Sequence, residues 1–103
     1  MSALAEFAMF PTDKGESVSP YVSRIIKLID SSGLDYRLTP MGTIVEAESL
    51  QEILELVEKA YAQLEPDCGR VYSSIKLDIR KGKDKRLEGK IKSVEEKIGK
   101  VKK

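Results

Sequence analysis

The order in which strand-like and helix-like patterns follow one another is the strongest constraint on the fold. Four segments have strand length and are apolar or alternate in polarity: 3–10, 34–39, 43–47 and 71–80. Two longer segments, which begin near Ser19 and Ser49, repeat apolar residues at helical spacing. The predicted order is β-α-β-β-α-β, the split βαβ arrangement of α+β ferredoxin-like folds. The 103 residues have the size of a single such domain, residues 1–103.

Helix start and stop signals support the two main helices. Ser19 precedes Pro20, which is already fixed at helical φ, so Ser19 is the predicted N-cap of a first helix ending near Gly33. Ser49 and Glu52 form a capping box at the start of the second helix. The predicted buried stripe of the second helix comprises Leu50, Ile53, Leu54, Val57, Tyr61 and Leu64.

A third helix is predicted after Gly82, in addition to the two helices of the main motif. Asp84 is its predicted first residue. Five apolar residues then follow at spacings of 4, 3, 4 and 3: Leu87, Ile91, Val94, Ile98 and Val101. This narrow apolar seam is typical of a helix that packs on protein.

The predicted topology leaves one face of the sheet without a helix from the main motif. Right-handed crossovers place both main helices on the other face, with the spatial strand order 4-1-3-2. The uncovered face is expected to carry Glu6, Phe10, Arg37, Tyr72, Ser74, Lys76, Asp78 and Arg80. On the two outer strands, the residues between these point to the face that the helices cover. They include Leu38, Ile75, Leu77 and Ile79. Such a mixed uncovered surface suits an interface with paired charges or a polar ligand pocket.

Two features of the composition argue against most catalytic chemistry. The chain has no histidine, the commonest catalytic base and a frequent metal ligand. Its one cysteine, Cys68, can form no internal disulfide and has no histidine to activate it. No glycine-rich phosphate-binding motif is present. The composition therefore argues against most enzymes, and we expect no cofactor and no metal site.

Hydropathy gives no indication of a membrane segment. No apolar run approaches the roughly 20 residues of a membrane span. The amino terminus also lacks a basic region followed by an apolar stretch. We therefore expect a cytoplasmic protein that does not bind membranes.

Charge is distributed unevenly along the chain. Residues 1–75 hold 6 basic and 12 acidic side chains, whereas residues 76–103 hold 12 basic and 5 acidic ones. A basic carboxyl-terminal third could contact RNA, but no aromatic side chain suited to base stacking follows Tyr72 in the sequence. The apolar seam instead favours packing on protein. The opposite charges of the two parts also let them attract one another, within a subunit or between subunits.

Three segments resemble the small thiamine-binding protein family related to YkoF. They are residues 19–22 (Ser-Pro-Tyr-Val), residues 36–46, which include Pro-Met-Gly-Thr, and residues 70–80, which include Ile-Lys-Leu-Asp-Ile-Arg. The resemblance extends over nearly the whole chain. It implies a ferredoxin-like domain that forms dimers and often tetramers, has no enzymatic activity, and binds thiamine or its hydroxymethylpyrimidine part.

With this ligand in view, the turn between the second and third strands is the predicted centre of the site. Hydroxyl and backbone groups of the turn would bind the ligand, with Gly42 allowing close approach. Glu46 or Glu6 would supply negative charge for the thiazolium. The candidate ligand-binding residues are Phe10, Thr12, Ser19, Tyr21, Thr39, Met41, Gly42, Thr43 and Glu46. The structural alternatives are that Phe10 and Tyr21 belong to the core and that Ser19 is only a cap.

Charged side chains on the uncovered face are the predicted interface between subunits. A charge is tolerated in such a contact when it is paired. The candidates are Glu6, Arg37, Lys76, Asp78 and Arg80. Two alternative functions remain open at this point: an interaction module with no small ligand, and RNA binding through the basic carboxyl-terminal third.

Overall fold

The computed structural model describes residues 1–103 and contains four strands and three helices. In chain order these are β1 (Ser2–Pro11), α1 (Ser19–Ser31), β2 (Asp35–Thr39), β3 (Gly42–Ala47), α2 (Leu50–Leu64), β4 (Val71–Arg80) and α3 (Arg86–Ile98). The strands form one antiparallel sheet in the order β2-β3-β1-β4, which confirms the predicted α+β fold and strand order. None of the three helices combines the length and the apolar character needed to cross a membrane.

The core lies between the sheet and helices α1 and α2. Alternation along β1 directs every second side chain to this side, and the hairpin strand β3 adds to the same face. The central buried side chains are Ala3, Ala5, Phe7, Met9, Val45, Ile25, Ile29, Ile53, Leu56, Ala60 and Leu64. We call this the helix side of the sheet and the opposite side the open face.

The buried stripe of α2 differs from the predicted one. Leu54 and Tyr61 are 51% and 43% exposed, whereas Leu56 and Ala60 are buried. Apolar residues occupy a wide arc of this helix, so periodicity alone does not identify the middle of the buried side. Packing against β1 and β3 selects the side that includes Leu56 and Ala60.

The predicted cap is confirmed for α2 and wrong for α1. The Ser49 hydroxyl accepts a hydrogen bond from the Glu52 amide at 3.2 Å. Ser19 instead lies inside the first turn of α1, after Val18, and its carbonyl accepts a hydrogen bond from the Ser23 hydroxyl at 2.7 Å. The helix begins one residue earlier than predicted because Pro20 fits its first turn.

The outer strands are less covered than their alternating patterns indicate. Ile75, Leu77 and Ile79 point to the helix side of β4 but are 40–44% exposed, because α2 contacts this edge strand much less than it contacts β1. At the other edge of the sheet, Leu38 on β2 is 60% exposed. The helices are centred on β1 and β3, so both edges retain exposed apolar side chains.

Helix α3 is attached to the open face through Arg86, which is 2% exposed. Its guanidinium donates to the Ser2 hydroxyl at 2.8 Å, to the Ser2 carbonyl at 2.9 Å and to the Asp78 carbonyl. It also forms an ion pair with the Asp78 carboxylate at 3.0 Å. A buried arginine is tolerated only where its charge is compensated and its donors are used, and this network meets both requirements.

The carboxylate of Glu46 caps the start of α3, in place of the predicted Asp84. It accepts hydrogen bonds from the Arg86 amide at 2.9 Å and from the Leu87 amide at 3.2 Å. Asp84 instead contacts the amino-terminal ammonium at 3.3 Å. The cap therefore comes from a residue 40 positions away, which local sequence patterns do not reveal.

Two opposing effects act on the pKa of Glu46. Burial raises the pKa, but the amide hydrogen bonds from Arg86 and Leu87 and the charge of Arg86 lower it, and the net pKa lies below its usual value. The folded protein therefore holds this group as a carboxylate.

We predict that Glu46→Gln lowers the free energy of unfolding by about 2 kcal/mol at neutral pH, because charge-assisted hydrogen bonds to two buried amides are weakened. Urea unfolding measures this difference. Because the folded pKa is lowered, the stabilisation is complete above the pKa of an unfolded glutamate and disappears as the pH falls through the folded value. The difference in unfolding free energy between wild type and variant should therefore disappear as the pH is lowered.

The matched control is Glu48→Gln, which removes an equal charge from an exposed residue next to the same strand. It should leave the unfolding free energy within about 0.5 kcal/mol of wild type. Equal effects of the two substitutions would show that net charge, rather than the cap, is responsible.

Candidate ligand-binding site

A cavity of about 250 Å³ lies on the helix side, between the start of α1 and the β2–β3 turn. We call it the turn cavity. Its lining residues are Phe7, Ala8, Met9, Phe10, Val18, Val22, Ile25, Ile26, Leu38, Thr39, Pro40, Met41, Gly42 and Thr43. Most of these are apolar, and no charged side chain is among them. The cavity therefore suits a flat, largely uncharged group that needs only a few hydrogen bonds.

The turn beside the cavity is held in shape by its own hydrogen bonds. The Thr39 hydroxyl donates to the Gly42 carbonyl at 2.7 Å and accepts from the Met41 amide at 3.2 Å. A Cβ atom at Gly42 would lie 3.3 Å from the Phe7 carbonyl oxygen, so glycine permits the close approach of the turn to β1. Thr39 and Gly42 thus shape this wall of the cavity.

The hydroxyl of Thr43 is the available polar side-chain group of the cavity. Thr43 is only 4% exposed, and its hydroxyl forms no hydrogen bond within the protein. No fully buried side-chain oxygen of the protein lacks a hydrogen-bond partner, so this unpaired hydroxyl retains accessible surface. The position of Thr43 in the cavity wall makes its hydroxyl accessible to a ligand.

Strand β1 extends beyond its pairing with β3 and so presents backbone groups to the cavity. The last β1–β3 pair is Phe7 with Thr43, whereas β4 accompanies β1 as far as Pro11. The Thr12 amide bonds the Arg70 carbonyl on the β4 side. Because backbone direction alternates along a strand, the amide and carbonyl of Met9 point to the opposite side, where no strand lies.

The structure brings five of the nine predicted ligand residues to this cavity. They are Phe10, Thr39, Met41, Gly42 and Thr43. Phe10 has the same strand parity as Glu6, so its ring points to the open face, where it pairs with Tyr72 at a centroid distance of 5.8 Å. The turn and the adjacent end of β1 therefore line one cavity.

The other four predicted ligand residues lie outside the turn cavity. Thr12 contacts the Arg70 carbonyl, and the ring of Tyr21 lies 4.9 Å from the Arg24 guanidinium. Ser19 is in the first turn of α1. Glu46 is on the open face, where it caps α3, and Glu6 shares that face. No carboxylate from either position reaches the cavity, because strand alternation directs both to the opposite side.

The wall of the cavity opposite the turn was not among the predicted ligand-binding residues. This wall comprises Val18 and three residues of α1, which are Val22, Ile25 and Ile26. Val22, Ile25 and Ile26 recur at helical spacing, which predicts a buried helix face. This periodicity does not indicate that part of the face borders a cavity.

The five predicted interface residues share the open face with a larger cavity of about 940 Å³ beside α3. Within the chain, most of them are paired. Arg37 contacts Glu88 at 3.5 Å, and Lys76 lies 3.9 Å from Glu6. Asp78 binds Arg86 and Lys90, both at 3.0 Å, and Lys90 and Arg86 lower its pKa. Arg80 completes this face at the end of β4.

Outside these cavities the chain presents little reactive chemistry. Burial raises the pKa of the Cys68 thiol, and the charges of Asp67 and Asp13 add to this effect. The thiol is therefore a poor nucleophile at neutral pH. No group of three or more cysteine, aspartate or glutamate side chains is arranged to hold a metal ion.

Comparison with known sequences identifies a family that spans most of the chain. The profile of the family described as thiamine-binding protein matches residues 5–95. A UPF0045 protein of Methanocaldococcus jannaschii is 38% identical over 93 residues, which is 90% of this chain and 92% of that protein. A UPF0045 protein of Methanothermobacter thermautotrophicus is 36% identical over 96 residues, which is 91% of this chain and 97% of the relative.

Solved structures with the same fold agree with this match. The M. jannaschii protein superposes with a TM-score of 0.82 at 37% identity, covering 92% of this chain and 97% of the other. A Thermotoga maritima protein proposed to act in thiamine biosynthesis or salvage has a TM-score of 0.79 at 23% identity, covering 91% and 99%. This second likeness concerns the fold alone. The family profile and the two relatives, each covering about nine tenths of the chain or of the partner sequence, show that the chain belongs to the thiamine-binding protein family.

Proposed function

We propose that the protein binds thiamine or its hydroxymethylpyrimidine moiety without catalysis, with the pyrimidine ring in the turn cavity. The observation that carries this proposal is the unpartnered hydroxyl of Thr43 in the wall of an uncharged cavity. Family membership supports thiamine as the ligand class. The geometry of the cavity supports the choice of its pyrimidine part.

The walls of the turn cavity match the chemistry of an aminopyrimidine. Val22 and Ile26 on one side and Met41 on the other offer apolar surface to a flat ring. The Thr43 hydroxyl and the backbone of Met9 offer donors and acceptors to the ring nitrogens and the amino group. A few directed hydrogen bonds in an apolar cavity fix the orientation of such a ligand.

The thiazolium ring of thiamine would remain at the cavity mouth. It carries a positive charge, and burying a charge without a partner is costly. The turn cavity has no carboxylate in its lining, so nothing inside would compensate that charge. The site would therefore recognise the pyrimidine that thiamine and hydroxymethylpyrimidine share.

We also propose that the protein acts as a homo-oligomer, as a dimer or tetramer. Strand β4 is a ten-residue edge strand, and its outer backbone groups have no strand partner. Ile75, Leu77 and Ile79 add an exposed apolar row along it. An uncovered strand edge with such a row pairs readily with another chain. A second copy that pairs along β4 would cover both the edge and the row.

We predict that thiamine and hydroxymethylpyrimidine both bind in isothermal titration, and that Thr43→Val weakens both by roughly tenfold. The loss corresponds to one buried hydrogen bond, since valine keeps the shape of threonine but lacks the hydroxyl. Thr12→Val is the matched control, because Thr12 lies outside the cavity. If neither compound binds at millimolar concentration, the alternative function, an interaction module without a small ligand, is favoured. Equal affinity of wild type and Thr43→Val would place the ligand elsewhere.

We predict that Ile75→Lys lowers the mass measured by light scattering, because a lysine in the apolar row of β4 disfavours pairing of two copies. Wild type should contain at least two chains at micromolar concentration. Leu54→Lys is the control, since Leu54 is similarly exposed but lies on α2. A wild-type particle of 11.5 kDa would contradict self-association, and an unchanged mass for Ile75→Lys would contradict the role of β4.

A further inference from the structure

Strand β1 leaves part of its backbone unpaired beside the turn cavity. Its pairing with β3 ends at Phe7, whereas its pairing with β4 continues to Pro11. The Thr12 amide donates to the Arg70 carbonyl, so the even-numbered residues of this stretch direct their backbone groups to β4. Met9 directs its amide and carbonyl to the other side, where the turn cavity lies. We call this side of Met9 the free edge of β1.

The free edge of β1 offers a single backbone donor. Phe7, two residues before Met9, is already paired with Thr43 of β3. Pro11, two residues after Met9, carries no amide hydrogen. The Met9 amide is therefore the one unpaired donor on this side, and the Met9 carbonyl follows it as an acceptor. Their polarity is fixed, because a backbone amide only donates and a carbonyl only accepts.

The substituted edge of an aminopyrimidine has the complementary order of groups. In a 4-aminopyrimidine the exocyclic amino group donates, and the adjacent ring nitrogen N3 accepts. In a 4-oxopyrimidine the exocyclic oxygen accepts, and N3 carries a hydrogen and donates. The two rings are almost equal in shape, so the apolar contacts offered by Val22, Ile26 and Met41 distinguish them poorly. Hydrogen bonds to groups of fixed polarity distinguish them well.

The substituent at C5 of the pyrimidine limits the directions in which the ring can lie. In thiamine this methylene arm carries the charged thiazolium, which stays at the cavity mouth because no carboxylate lines the cavity. A 4-oxopyrimidine would match the Met9 donor and acceptor only with its direction along the strand reversed, which would turn the arm away from the mouth. The Thr43 hydroxyl accepts either ring, because it can donate or accept. Selection between the rings therefore depends on the backbone of Met9.

We propose that the free edge of β1 restricts the turn cavity to 4-aminopyrimidines and excludes 4-oxopyrimidines. The Met9 amide donates to N3 of the ring, and the Met9 carbonyl accepts from the 4-amino group. This inference rests on the proposed function, because it requires a pyrimidine in the turn cavity. It adds the chemical class of ring that the site accepts and the backbone groups that select it.

Isothermal titration with thiamine and with its 4-oxo analogue, oxythiamine, tests the selection. We expect oxythiamine to bind roughly a hundredfold more weakly, since both Met9 groups would meet a group of the same polarity. If thiamine binds and oxythiamine loses less than tenfold, the selection is wrong and the proposed function stands. If thiamine itself does not bind, the proposed function is wrong, and the selection is wrong with it.

The matched ligand pair is hydroxymethylpyrimidine and its 4-oxo counterpart, neither of which carries a thiazolium. The selection acts on the ring, so the ratio of the two affinities should equal the ratio for thiamine and oxythiamine within about threefold. A ratio near one for this pair would show that the thiazolium end is responsible for any discrimination among the larger ligands. That result would contradict the role of β1.

Rapid exchange of amide hydrogens with water, measured by NMR, tests the assignment to Met9 without a substitution. In the free protein the Met9 amide should exchange without unfolding, whereas the paired Phe7 amide should not. Saturating thiamine should slow the Met9 exchange at least tenfold. The control is the Gly82 amide, which lies in an exposed loop after β4, at the opposite end of the sheet, and should be unaffected. Unchanged exchange at Met9, or equal slowing at Gly82, would overturn the assignment.

Discussion

Strand β1 is the constraint on which the other parts of the molecule depend, because it is paired on both sides and used on both faces. Its helix-side residues Ala3, Ala5 and Phe7 form the centre of the core. On the open face, Ser2 at its start accepts the hydrogen bonds that attach α3. Its far end continues past the last pair with β3, and the resulting gap is the turn cavity. One strand thus links the core, the third helix and the candidate site.

The attachment of α3 illustrates how a buried charge contributes specificity. Taking an arginine out of water is costly, so Arg86 is favourable in this position only with all its partners in place. Ser2, Asp78 and Glu46 come from three different strands, which means that α3 docks correctly only after the sheet has formed. The network defines one docking position for the first turn, and the ion pair between Lys90 and Asp78 holds the next turn to the same strand.

Ligand binding and self-association would use separate surfaces of this small domain. The turn cavity is at one end of the helix side, whereas the larger cavity beside α3 is on the open face. The apolar row of β4 lies along the free edge of the sheet. This separation explains why the charged residues that the sequence assigned to an interface lie apart from the uncharged cavity. Residues of both classes alternate along the same strands, and alternation directs them to opposite faces.

The sequence by itself determined the order of elements and the strand order of the sheet, and it predicted the β2–β3 turn as the centre of a ligand site. These features depend on hydrophobic periodicity, on turn residues and on the right-handed crossover between consecutive elements. All three are set by residues or elements that are close in the sequence. Only the tertiary structure decided that Leu56 rather than Leu54 is buried, that Glu46 caps α3, and that Thr43 faces a cavity. Each of these depends on which segment from tens of residues away packs against the side chain, and no local pattern encodes that contact.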